Sequence, residues 1–597
     1  MDTATSKDRW DKILWKTKSR PYVLLVLVGV LVWSGVVHRG HVALDTPWLV
    51  IKNPILAQGS YNQLGVIFTD LSLGTRQTLG AEYLPIRDIS VLLDFAIFGD
   101  NLAGHHLHNL LLYLASCCIL LSCSIRIFGQ ERIVWLMTVL YMLMPVHVEN
   151  VAWLASRKDV LSLFWGLTSI WVYLRSARPI LWATLCCVLA YWSKNTSVVI
   201  PVVLVGISIV HKKEDWRHPL WWIQWTPLIL VHVWMLFNTI QVGNQMGMMI
   251  EYRSSTFLGV LSITAQVWWH YFMSIIMPTS LSAYYVDPVA QWNLSALIGV
   301  VFIVLSAAAP VFYRYPTIAL GLVWIFWGLL PVSQVVPIQN LIADRYLLFP
   351  SIGFVWICIH VARRFRVQWV FWAAVIFFGV QTHARIPVWR GSIPFWSDLI
   401  QKQPTLVKGW VALAGQYTEQ GLWAEAEALL REGQQTVSNE KDQAKIHQGL
   451  GLLAYKQQNY SQAELMLELA LYEDSTLRKA QNNLVQVYRK LDKKEQAYQM
   501  AKKLSVEHPL YDVGWNTLGV LEMERGDLKG AQEAFLRSLE IKPISISVWV
   551  NMGNVAFLAK EYQVARYWWM QVLSQEPSHS HALNGLKEVE RIQAAQP

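Results

Sequence analysis

Charged residues are scarce in this chain of 597 residues, where Asp, Glu, Lys and Arg together make up 15%. A soluble globular protein carries about 25%. Hydrophobic residues make up 54% and aromatic residues 12%. These proportions exclude a disordered chain, a collagen-like chain and an ordinary soluble enzyme.

Cysteine and the familiar catalytic signatures are also scarce or absent. The sequence has no Walker loop, no GxGxxG on a βαβ pattern, no nucleophile elbow and no HExxH. Its few cysteines fall inside apolar runs, so neither a disulfide framework nor a zinc site follows from them. The cysteines are Cys117, Cys118, Cys123, Cys186, Cys187 and Cys358.

Net charge divides the chain into two halves. From residue 395 onward the balance is −2, whereas the preceding part carries +11. The basic excess is therefore typical of positive-inside topology and of contact with anionic lipid headgroups. No nucleic-acid partner is expected, because the soluble half is slightly acidic.

Residues 21–394 form the predicted membrane half, an all-α transmembrane domain of about 11–12 spans. Its apolar runs do not alternate in polarity, which favours helices over barrel strands. Each run is about long enough to cross ~30 Å of hydrocarbon. The runs lie near 21–37, 102–123, 131–145, 159–175, 179–192, 195–210, 219–241, 257–276, 293–312, 316–330, 345–361 and 367–384.

Basic flanks set the predicted sidedness of these spans. The basic tail 1–20 places the N-terminus in the cytoplasm. A large external loop then covers 38–101, and its amphipathic part predicts interfacial helices on the outer leaflet. To keep 385–394 outside, one run must be re-entrant. The best candidate is 257–276, which contains Gln266 and His270.

Residues 395–597 carry a repeat. Ala463, Ala497, Ala531 and Ala565 are each 34 residues from the next, and Pro509, Pro543 and Pro577 share this spacing. This is the helix-turn-helix period of tetratricopeptide repeats. We therefore predict a soluble α-solenoid of about five repeats, with a capping helix near 580–593. Such arrays normally bind peptide or protein on a concave face, and the alternative is a platform that stabilises the membrane half.

Ionisable groups at membrane depth are functional candidates because they are costly there. The first is Asp45, just after the first span. A carboxylate at the outer interface can act as a general base. However, an Asp before Thr46-Pro47 is more commonly a helix cap, and the spacing alone favours that role.

The segments 145–150 and 156–159 place five ionisable groups between two apolar runs. They form either a wall that binds an anionic, hydroxylated substrate or a short solvated loop, and the pattern supports both equally. His147 and Glu149 are two residues apart, so they are not a helical metal pair.

Two further sites carry basic groups at the ends of apolar runs. Lys194 has no acidic residue near it in sequence, and snorkelling to the headgroups is its simplest explanation. Arg345 can grip a phosphate with two hydrogen bonds. A plain surface pair between Asp344 and Arg345 is equally compatible with the pattern.

The ordered set of these motifs resembles the TMTC-type O-mannosyltransferases and their bacterial relatives, which are GT-C glycosyltransferases. The likeness covers nearly the whole chain, with two departures: Asp45 stands alone where the family often has paired acids, and Asn195 stands where Glu often follows Ser-Lys. The matching residues are Tyr83-x-Pro85, Asp94, Gly99, His106-Leu107-His108-Asn109, Pro145-x-His147-x-Glu149-x-x-Ala152, Arg157-x-Asp159, Ser193-Lys194, Asp344-Arg345-Tyr346 and Pro350-Ser351-x-Gly353.

The resemblance implies transfer of a sugar, with inversion, from a polyprenyl-phosphate-linked donor to a Ser or Thr hydroxyl of a protein or to another envelope acceptor. It implies Asp45 as the base and Arg345, Lys194 and Arg157 as ligands of the donor phosphate. The implied substrate-binding residues are His106, His147, Glu149, Tyr346, Tyr83 and Arg87.

The resemblance implies no certain cofactor. Whether a divalent metal takes part stays open, because no residue pattern indicates one. The expected location is the inner membrane of a bacterium. The site and the repeat array would then lie outside the cytoplasm, with the array binding the protein acceptor.

Two other functions compete with this one. A membrane-anchored scaffold would use the repeats to assemble proteins without any chemistry. A transporter or lipid flippase should show internal repeats among its spans, and none is evident in the sequence.

Overall fold

The computed structural model describes residues 17–245, 251–312, 314–334 and 337–594, so most of the predicted basic tail 1–20 lies outside the described residues. Every regular element in these ranges is helical, which confirms the all-α prediction. The chain forms two compact units. The membrane unit runs up to Leu71 and from Leu79 to Gln403. The repeat unit comprises Ser72–Thr78 and the chain from Pro404 on.

The helices before residue 404 are separated mostly by short turns. In chain order they are α1 (Arg20–Trp33), α2 (Leu64–Thr69), α3 (Leu73–Thr78), α4 (Pro85–Phe98), α5 (Leu102–Phe128), α6 (Arg132–Met142), α7 (Val148–Ala152), α8 (Arg157–Arg175), α9 (Pro179–Tyr191), α10 (Ile200–Val210), α11 (Pro219–Gln245), α12 (Phe257–Ile276), α13 (Leu294–Ala307), α14 (Pro316–Leu329), α15 (Pro350–Phe365), α16 (Gln368–Arg385) and α17 (Ser392–Lys402).

Two of these helices, in Leu102–Phe128 and Pro219–Asn244, are long and apolar enough to cross a membrane by themselves. A third crossing is made if Arg132–Met142 and Pro145–Ala152, which meet at a bend of 47°, count as one span. Several other apolar helices are shorter than this criterion requires. The chain is thus a membrane protein, and its 11–12 spans stay a prediction.

Proline explains the bend. Met144 precedes Pro145 and has an extended backbone, φ −68° and ψ 124°, as the ring of a following proline favours. The helix therefore ends at Met142 and resumes after the proline in a new direction. This break brings the polar residues of 145–159 inside the membrane unit rather than leaving them in a solvated loop.

Helix α4 provides the predicted helix in the external loop. Leu92 and Phe95 are buried, as an amphipathic helix requires, but Arg87, Asp88 and Asp94 on the same helix are buried as well. Ile97 stays exposed near its end. The helix is therefore packed into the unit through more than one face, rather than through a single apolar stripe.

Helix α12 covers the run for which re-entry is predicted, and it is continuous over its length. The Thr264 hydroxyl donates to the Ser333 carbonyl, the Gln266 amide donates to the Val289 carbonyl at 2.8 Å, and the Tyr271 hydroxyl donates to the Leu341 carbonyl. The middle and C-terminal part of the helix thus bonds the backbone of two neighbouring loops. These contacts do not test whether the helix crosses the membrane, so re-entry stays a prediction.

The membrane unit extends past the predicted boundary at residue 394, to Gln403. Helix α17 buries Phe395, Trp396 and Leu399 within this unit. Its Asp398 also pairs with Lys402 at 2.6 Å. The helix therefore closes the membrane unit rather than opening the repeat array.

Between residues 404 and 594 the repeat unit contains five helix pairs and a final helix, and in each pair we call the first helix A and the second helix B. They are α18 (Val407–Glu419) and α19 (Trp423–Thr436), α20 (Glu440–Lys456) and α21 (Tyr460–Glu473), α22 (Arg478–Lys490) and α23 (Lys494–Glu507), α24 (Asp512–Glu524) and α25 (Leu528–Ile541), α26 (Ile546–Leu558) and α27 (Tyr562–Gln575), and α28 (Ser580–Ala594).

Small residues let the two helices of a pair approach each other closely. A Cβ placed on Gly519 of α24 would lie 2.6 Å from Phe535 of α25. In the next pair, a Cβ on Gly553 would lie 2.3 Å from Trp569. Ala531 is fully buried at the same seam. This packing is the physical basis of the tetratricopeptide pattern.

Candidate functional site

Buried charge is concentrated at one end of the helices of the membrane unit. We call this set of residues the polar layer. It consists of four ion pairs in which every side chain is at most 15% exposed. The pairs are Arg157–Asp94, Lys194–Asp159, Arg345–Glu149 and Arg385–Asp344.

Asp45 lies between α1 and a short helix, Pro47–Ile51. Its carboxylate is exposed and makes no hydrogen bond or ion pair with any described residue. The predicted capping alternative is not seen here, because the short helix has Thr46 as its first cap and no capping side-chain hydrogen bond. Asp45 is thus a free acid beside a polar layer whose other acids are paired.

Tyr284 lies near both Asp45 and the polar layer. Burial raises the pKa of Tyr284 to about 12; the nearby carboxylates of Asp45 and Glu149 add to this rise, while Arg345 opposes it. These four side chains therefore share one neighbourhood. Tyr284 also stacks on Trp396, with ring centroids 6.2 Å apart. Sequence reasoning missed this tyrosine, because it lies in the loop 277–292, outside the charged segments that mark the other candidate residues.

Glu149 holds Arg345 in place through two contacts. Its carboxylate accepts from the Arg345 guanidinium at 2.5 Å and from the Arg345 backbone N–H at 3.1 Å. Asn150 donates to the Arg345 carbonyl at 3.2 Å. The Nε and the second Nη of the guanidinium donate to no described residue. The sequence alternative of an Asp344–Arg345 pair is therefore replaced by a pair with Glu149.

Lys194 is paired rather than snorkelling. It forms an ion pair with Asp159, 35 residues earlier in the chain. Burial lowers the pKa of Lys194, and the charge of Asp159 opposes that shift. The ring of Tyr346 lies 5.8 Å from the Lys194 ammonium and 5.0 Å from the Arg345 guanidinium. Two cations thus share one aromatic ring.

Arg157 links α4, α5 and α8. It pairs with Asp94 at 2.6 Å, and donates to the Ser90 hydroxyl at 2.9 Å and to the His105 carbonyl at 2.8 Å. It also bonds the side-chain oxygen of Asn109. Burial acts to raise the pKa of Asp94, but hydrogen bonds from His108 and Arg157 outweigh it and lower that pKa. Arg157 is thus fully engaged within the fold.

His147 is also enclosed. Its ring is fully buried. One nitrogen lies 2.8 Å from the Tyr113 hydroxyl and the other 2.9 Å from the Ser351 hydroxyl. It therefore connects α5, the bend after α6, and α15. Its predicted role toward a substrate stays a prediction, and the geometry favours a role in positioning Glu149 two residues later.

The remaining predicted residues lie in the external loop or beside it. His106 is buried, with its ring 4.2 Å from that of His38. Tyr83 donates to the Phe68 carbonyl at 3.1 Å. Arg87 is buried and pairs with Asp88 at 2.6 Å. The structure therefore groups Asp45, Glu149, Arg345, Lys194 and Tyr346, and it gives His106, Tyr83 and Arg87 partners within the loop region.

Asp344, next to Arg345, makes a different set of buried contacts within the polar layer. It pairs with Arg385 at 3.2 Å and accepts from the Tyr285 hydroxyl at 2.5 Å. Burial raises the pKa of Asp344 to about 7, and Arg385 opposes that rise. These contacts join the loop after α12 to the end of α16. They support the backbone that presents Arg345.

No group of three or more His, Cys, Asp or Glu side chains placed to hold a metal ion occurs in the part of the chain that the structure describes. What the arrangement can do chemically follows from its charges. It offers one free carboxylate and two cations, each with N–H donors that no described residue accepts. Such a set can accept a proton from a hydroxyl and bind an anion close by.

Comparison with known proteins places the chain near one family. A stretch of 142 residues is 26% identical to the protein O-mannosyl-transferase TMTC1 of Homo sapiens and covers 23% of this chain and 16% of that protein. The Mus musculus protein of the same name matches over 141 residues at 26% identity, covering 23% and 15%. The chain is therefore TMTC-like, although it matches only about a sixth of the length of these relatives. No family model matches the chain.

Several solved structures are similar to part of the chain. YrrB, described as a TPR protein with an unusual peptide-binding site, aligns with a TM-score of 0.25 and 17% identity, over 32% of this chain and 97% of its own. PilF of Pseudomonas aeruginosa aligns with a TM-score of 0.29 and 19% identity, over 32% and 84%. The pilus biogenesis factor PilW aligns with a TM-score of 0.29 and 17% identity, over 33% and 89%.

Proposed function

We propose that this protein is a membrane glycosyltransferase. It moves a sugar from a polyprenyl-phosphate-linked donor to a Ser or Thr hydroxyl of a protein acceptor, with inversion. The observation that carries the proposal is the free carboxylate of Asp45 beside Tyr284 and the Glu149–Arg345 pair. The similarity to protein O-mannosyl-transferase TMTC1 supports the same class of reaction.

In this reaction the acceptor oxygen attacks the anomeric carbon of the sugar. A new carbon–oxygen bond forms while the bond from that carbon to the donor phosphate breaks, and the polyprenyl phosphate leaves with the bonding electrons. Asp45 receives the hydroxyl proton. Because a carboxylate is too weak a base to ionise an alcohol beforehand, proton transfer accompanies the attack.

Arg345 is the proposed ligand of the leaving phosphate. Glu149 fixes one of its nitrogens, so the remaining donors are held in a defined direction and can bind phosphate oxygens. Lys194 adds positive charge beside the same Tyr346 ring. Developing negative charge is stabilised most by groups that are already in place, and both cations are held by carboxylates.

Arg157 and His147 act in this proposal as positioning residues. Their polar atoms already bind helices of the membrane unit to one another, so their effect on transfer is indirect. Tyr284 is a further residue of the proposed site, and the sequence did not predict it. Its hydroxyl lies near both Asp45 and Arg345, where it can orient the acceptor or the sugar.

We place the site on the extracytoplasmic side of a bacterial inner membrane. Helix α15 supports this orientation, because it starts beside the polar layer and carries Arg363 near its other end, paired with Glu131 at 2.9 Å. Basic clusters favour the cytoplasmic side. The repeat array would present the acceptor.

The test is transfer in vitro from a panel of polyprenyl-phosphate sugars to envelope proteins, read by mass spectrometry. Asp45→Asn should lower the rate at least 100-fold, because loss of a general base typically costs 10² to 10⁴. Asp100→Asn is the matched control, since Asp100 is another exposed acid of the same loop. Full activity of Asp45→Asn would exclude Asp45 as the base. Activity in EDTA would show that no divalent metal is needed.

The scaffold alternative predicts a different result. No sugar would be transferred from any donor, and neutralising Asp45 or Arg345 would leave partner assembly unchanged.

A further inference from the structure

A further ion pair lies beside the polar layer and is less buried than its four pairs. Glu82 of the external loop and Lys158 at the start of α8 are 2.5 Å apart, and their side chains are 22% and 24% exposed. We call them the rim pair. Opening a part-exposed pair costs little, because water can solvate both charges, whereas breaking a buried pair leaves a charge without compensation. A ligand can therefore open the rim pair more easily than any pair of the polar layer.

The rim pair belongs to the neighbourhood of the two cations of the candidate site. Burial acts to raise the pKa of Glu82, but the charges of Lys158, Arg87 and Lys194 outweigh it and lower that pKa. Burial lowers the pKa of Lys194, and the charges of Lys158 and Arg345 add to that shift. Lys158 is thus a third cation close to the two that are proposed to bind the donor phosphate.

Glu82 has a second cation within reach. Its carboxylate lies 3.8 Å from the Nη1 of Arg87, beyond hydrogen-bond distance. The other two nitrogens of the Arg87 guanidinium bond Asp88 and the Leu79 carbonyl, but the buried Nη1 donates to no described residue. A shift of about 1 Å would bring the carboxylate within bonding distance of this Nη1. Glu82 can therefore leave Lys158 without becoming an unpaired charge.

The turn that carries Glu82 is strained. Gly80 and Ala81 have φ values of +88° and +58°, in the left-handed region that alanine rarely adopts. The turn is held at both ends, because the flanking Leu79 and Leu84 are fully buried. Strained backbone of this kind persists only where the surroundings impose it, and it is concentrated at ligand clamps and switches. The backbone preference of Ala81 thus opposes the conformation that places Glu82 on Lys158.

We propose that Lys158 is a third cationic ligand of the leaving phosphate, and that Glu82 holds it until negative charge develops on that phosphate. The carboxylate then moves from Lys158 to Arg87, and the Lys158 ammonium donates to a phosphate oxygen. The exchange replaces one anion by another, so neither Lys158 nor Glu82 is left uncompensated.

This inference rests on the proposed function, because its ligand is the polyprenyl phosphate that leaves the donor. In the donor the phosphate is a diester with one negative charge. The released monoester carries about −1.5 to −2 at pH 7 and has more free acceptor oxygens. A third cation therefore stabilises the leaving group more than it stabilises the bound donor, which is the condition for faster transfer.

The test is binding of two probes to the full-length protein in phosphatidylcholine nanodiscs, read by microscale thermophoresis. One probe is polyprenyl phosphate at about pH 8, where a phosphate monoester is doubly charged. The other is its methyl ester, which keeps the single charge of a diester. The variants are Glu82→Gln, Lys158→Gln and the double variant. Asp100→Asn and Lys52→Gln are the controls, because they neutralise an exposed acid and an exposed lysine of the external loop.

Glu82→Gln should bind polyprenyl phosphate about fivefold more tightly than wild type, because the rim pair no longer has to open. In that background, adding Lys158→Gln should weaken binding about tenfold, since a charge-assisted hydrogen bond is lost and no acid is left unpaired. The methyl ester should respond less to both changes. The two controls should bind both probes as the wild type does.

Equal affinities of wild type and Glu82→Gln for polyprenyl phosphate would overturn the proposal. So would a gain that persists in full in the double variant, because Lys158 would then not be a ligand. The same gain for phosphatidylglycerol added to the nanodiscs would assign the rim pair to a membrane phospholipid and contradict the assignment to the leaving group. The Tm of each variant shows whether it is folded, and both substituted side chains reach water.

The two proposals fail separately. If the variants bind polyprenyl phosphate as expected but wild type transfers no sugar from any donor, the transferase proposal falls and Lys158 stands as a phosphate ligand. If Asp45→Asn abolishes transfer while Glu82→Gln and the double variant bind polyprenyl phosphate as wild type does, the role of Lys158 falls and the transferase stands.

Discussion

Ion pairs are buried in the polar layer of the membrane unit and exposed in most of the repeat unit. The side chains of Arg157 and Asp94 are 2% and 1% exposed, whereas those of Arg431 and Glu427 are 63% and 41% exposed. The two regions differ because lipid offers no water to solvate a single charge. A charge in the membrane unit must find a partner, while one in the repeat unit has water as an alternative.

This difference means that the same type of contact has unequal energetic effects. Removing one partner of a buried pair leaves the other charge without compensation, which costs about 3–5 kcal/mol. An exposed pair contributes about 0–1 kcal/mol. The buried pairs also position the candidate site, so changes there affect both stability and chemistry. Four predictions follow this scale from the largest effect to the smallest.

Arg157→Gln should have the largest effect on stability. It leaves Asp94 buried and without its guanidinium partner, so the free energy of unfolding should fall by about 3–5 kcal/mol. The measurement is the Tm and the folded yield of the purified protein in detergent. Arg178→Gln is the control, because Arg178 is exposed. Equal stability of the two variants would contradict the assignment of Arg157 as a link between three helices.

Asp344→Asn should change how stability depends on pH. The pKa of Asp344 is raised to about 7 in the folded state. The folded state therefore holds a proton that the unfolded state loses near pH 4, and wild-type stability falls as pH rises from about 4 to 7. At ~1.4 kcal/mol per pKa unit, this contribution is of the order of a few kcal/mol.

The measurement is the difference in Tm between pH 5 and pH 8. Asp344→Asn removes the carboxyl that titrates, so its Tm should fall less than that of wild type over this interval. The absolute Tm of the variant also reflects the lost partner of Arg385, so only the pH difference is compared. A parallel pH response of the two proteins would mean that the carboxyl is ionised throughout.

Gly519→Ala tests packing instead of charge in the repeat unit. Its added methyl group would lie 2.6 Å from the fully buried Phe535, so the substitution should destabilise the unit by about 1–3 kcal/mol. Gly415→Ala is the matched control on the first A helix, where a Cβ meets nothing within 4 Å. That change should stabilise its helix by up to ~1 kcal/mol. The Tm, measured by thermal unfolding followed by circular dichroism, should therefore fall for Gly519→Ala and rise for Gly415→Ala.

Arg431→Ala should have the smallest effect. Its pair with Glu427 is exposed and joins positions four apart on one helix, so its loss should cost about 0.3–0.5 kcal/mol and less at high salt. Denaturant unfolding at two salt concentrations measures this. A loss of more than ~1 kcal/mol in the free energy of unfolding would contradict the small contribution expected of exposed ion pairs.

The repeat unit could be predicted from the sequence to the level of single residues. Its contacts repeat at a fixed spacing, so Gly519 against Phe535 and Ala531 at the seam follow from the pattern of one helix pair. The hydrogen bond that the Asn551 amide donates to the Asn516 side-chain oxygen of the preceding repeat was not predicted, because the two residues are 35 apart and do not fall on the 34-residue period.

The candidate site could be predicted only as a list of residues. The sequence located Asp45, Glu149, Lys194 and Arg345 as polar groups beside apolar runs, and it missed Tyr284. It could not show which acidic residue pairs with which basic residue. Glu149 and Arg345 are 196 residues apart, and the adjacent Asp344 pairs elsewhere.

The sequence by itself determined the helical class, the division into an apolar and a repeat-bearing half, and the helix pairs of the solenoid, because these depend on composition and on contacts between neighbours in the chain. Tertiary structure decided which charges meet, that Lys194 is paired with Asp159, and that Asp45 stays free beside Tyr284. The physical reason is that a low-dielectric interior requires a partner for each buried charge, but the chain's path through space selects that partner.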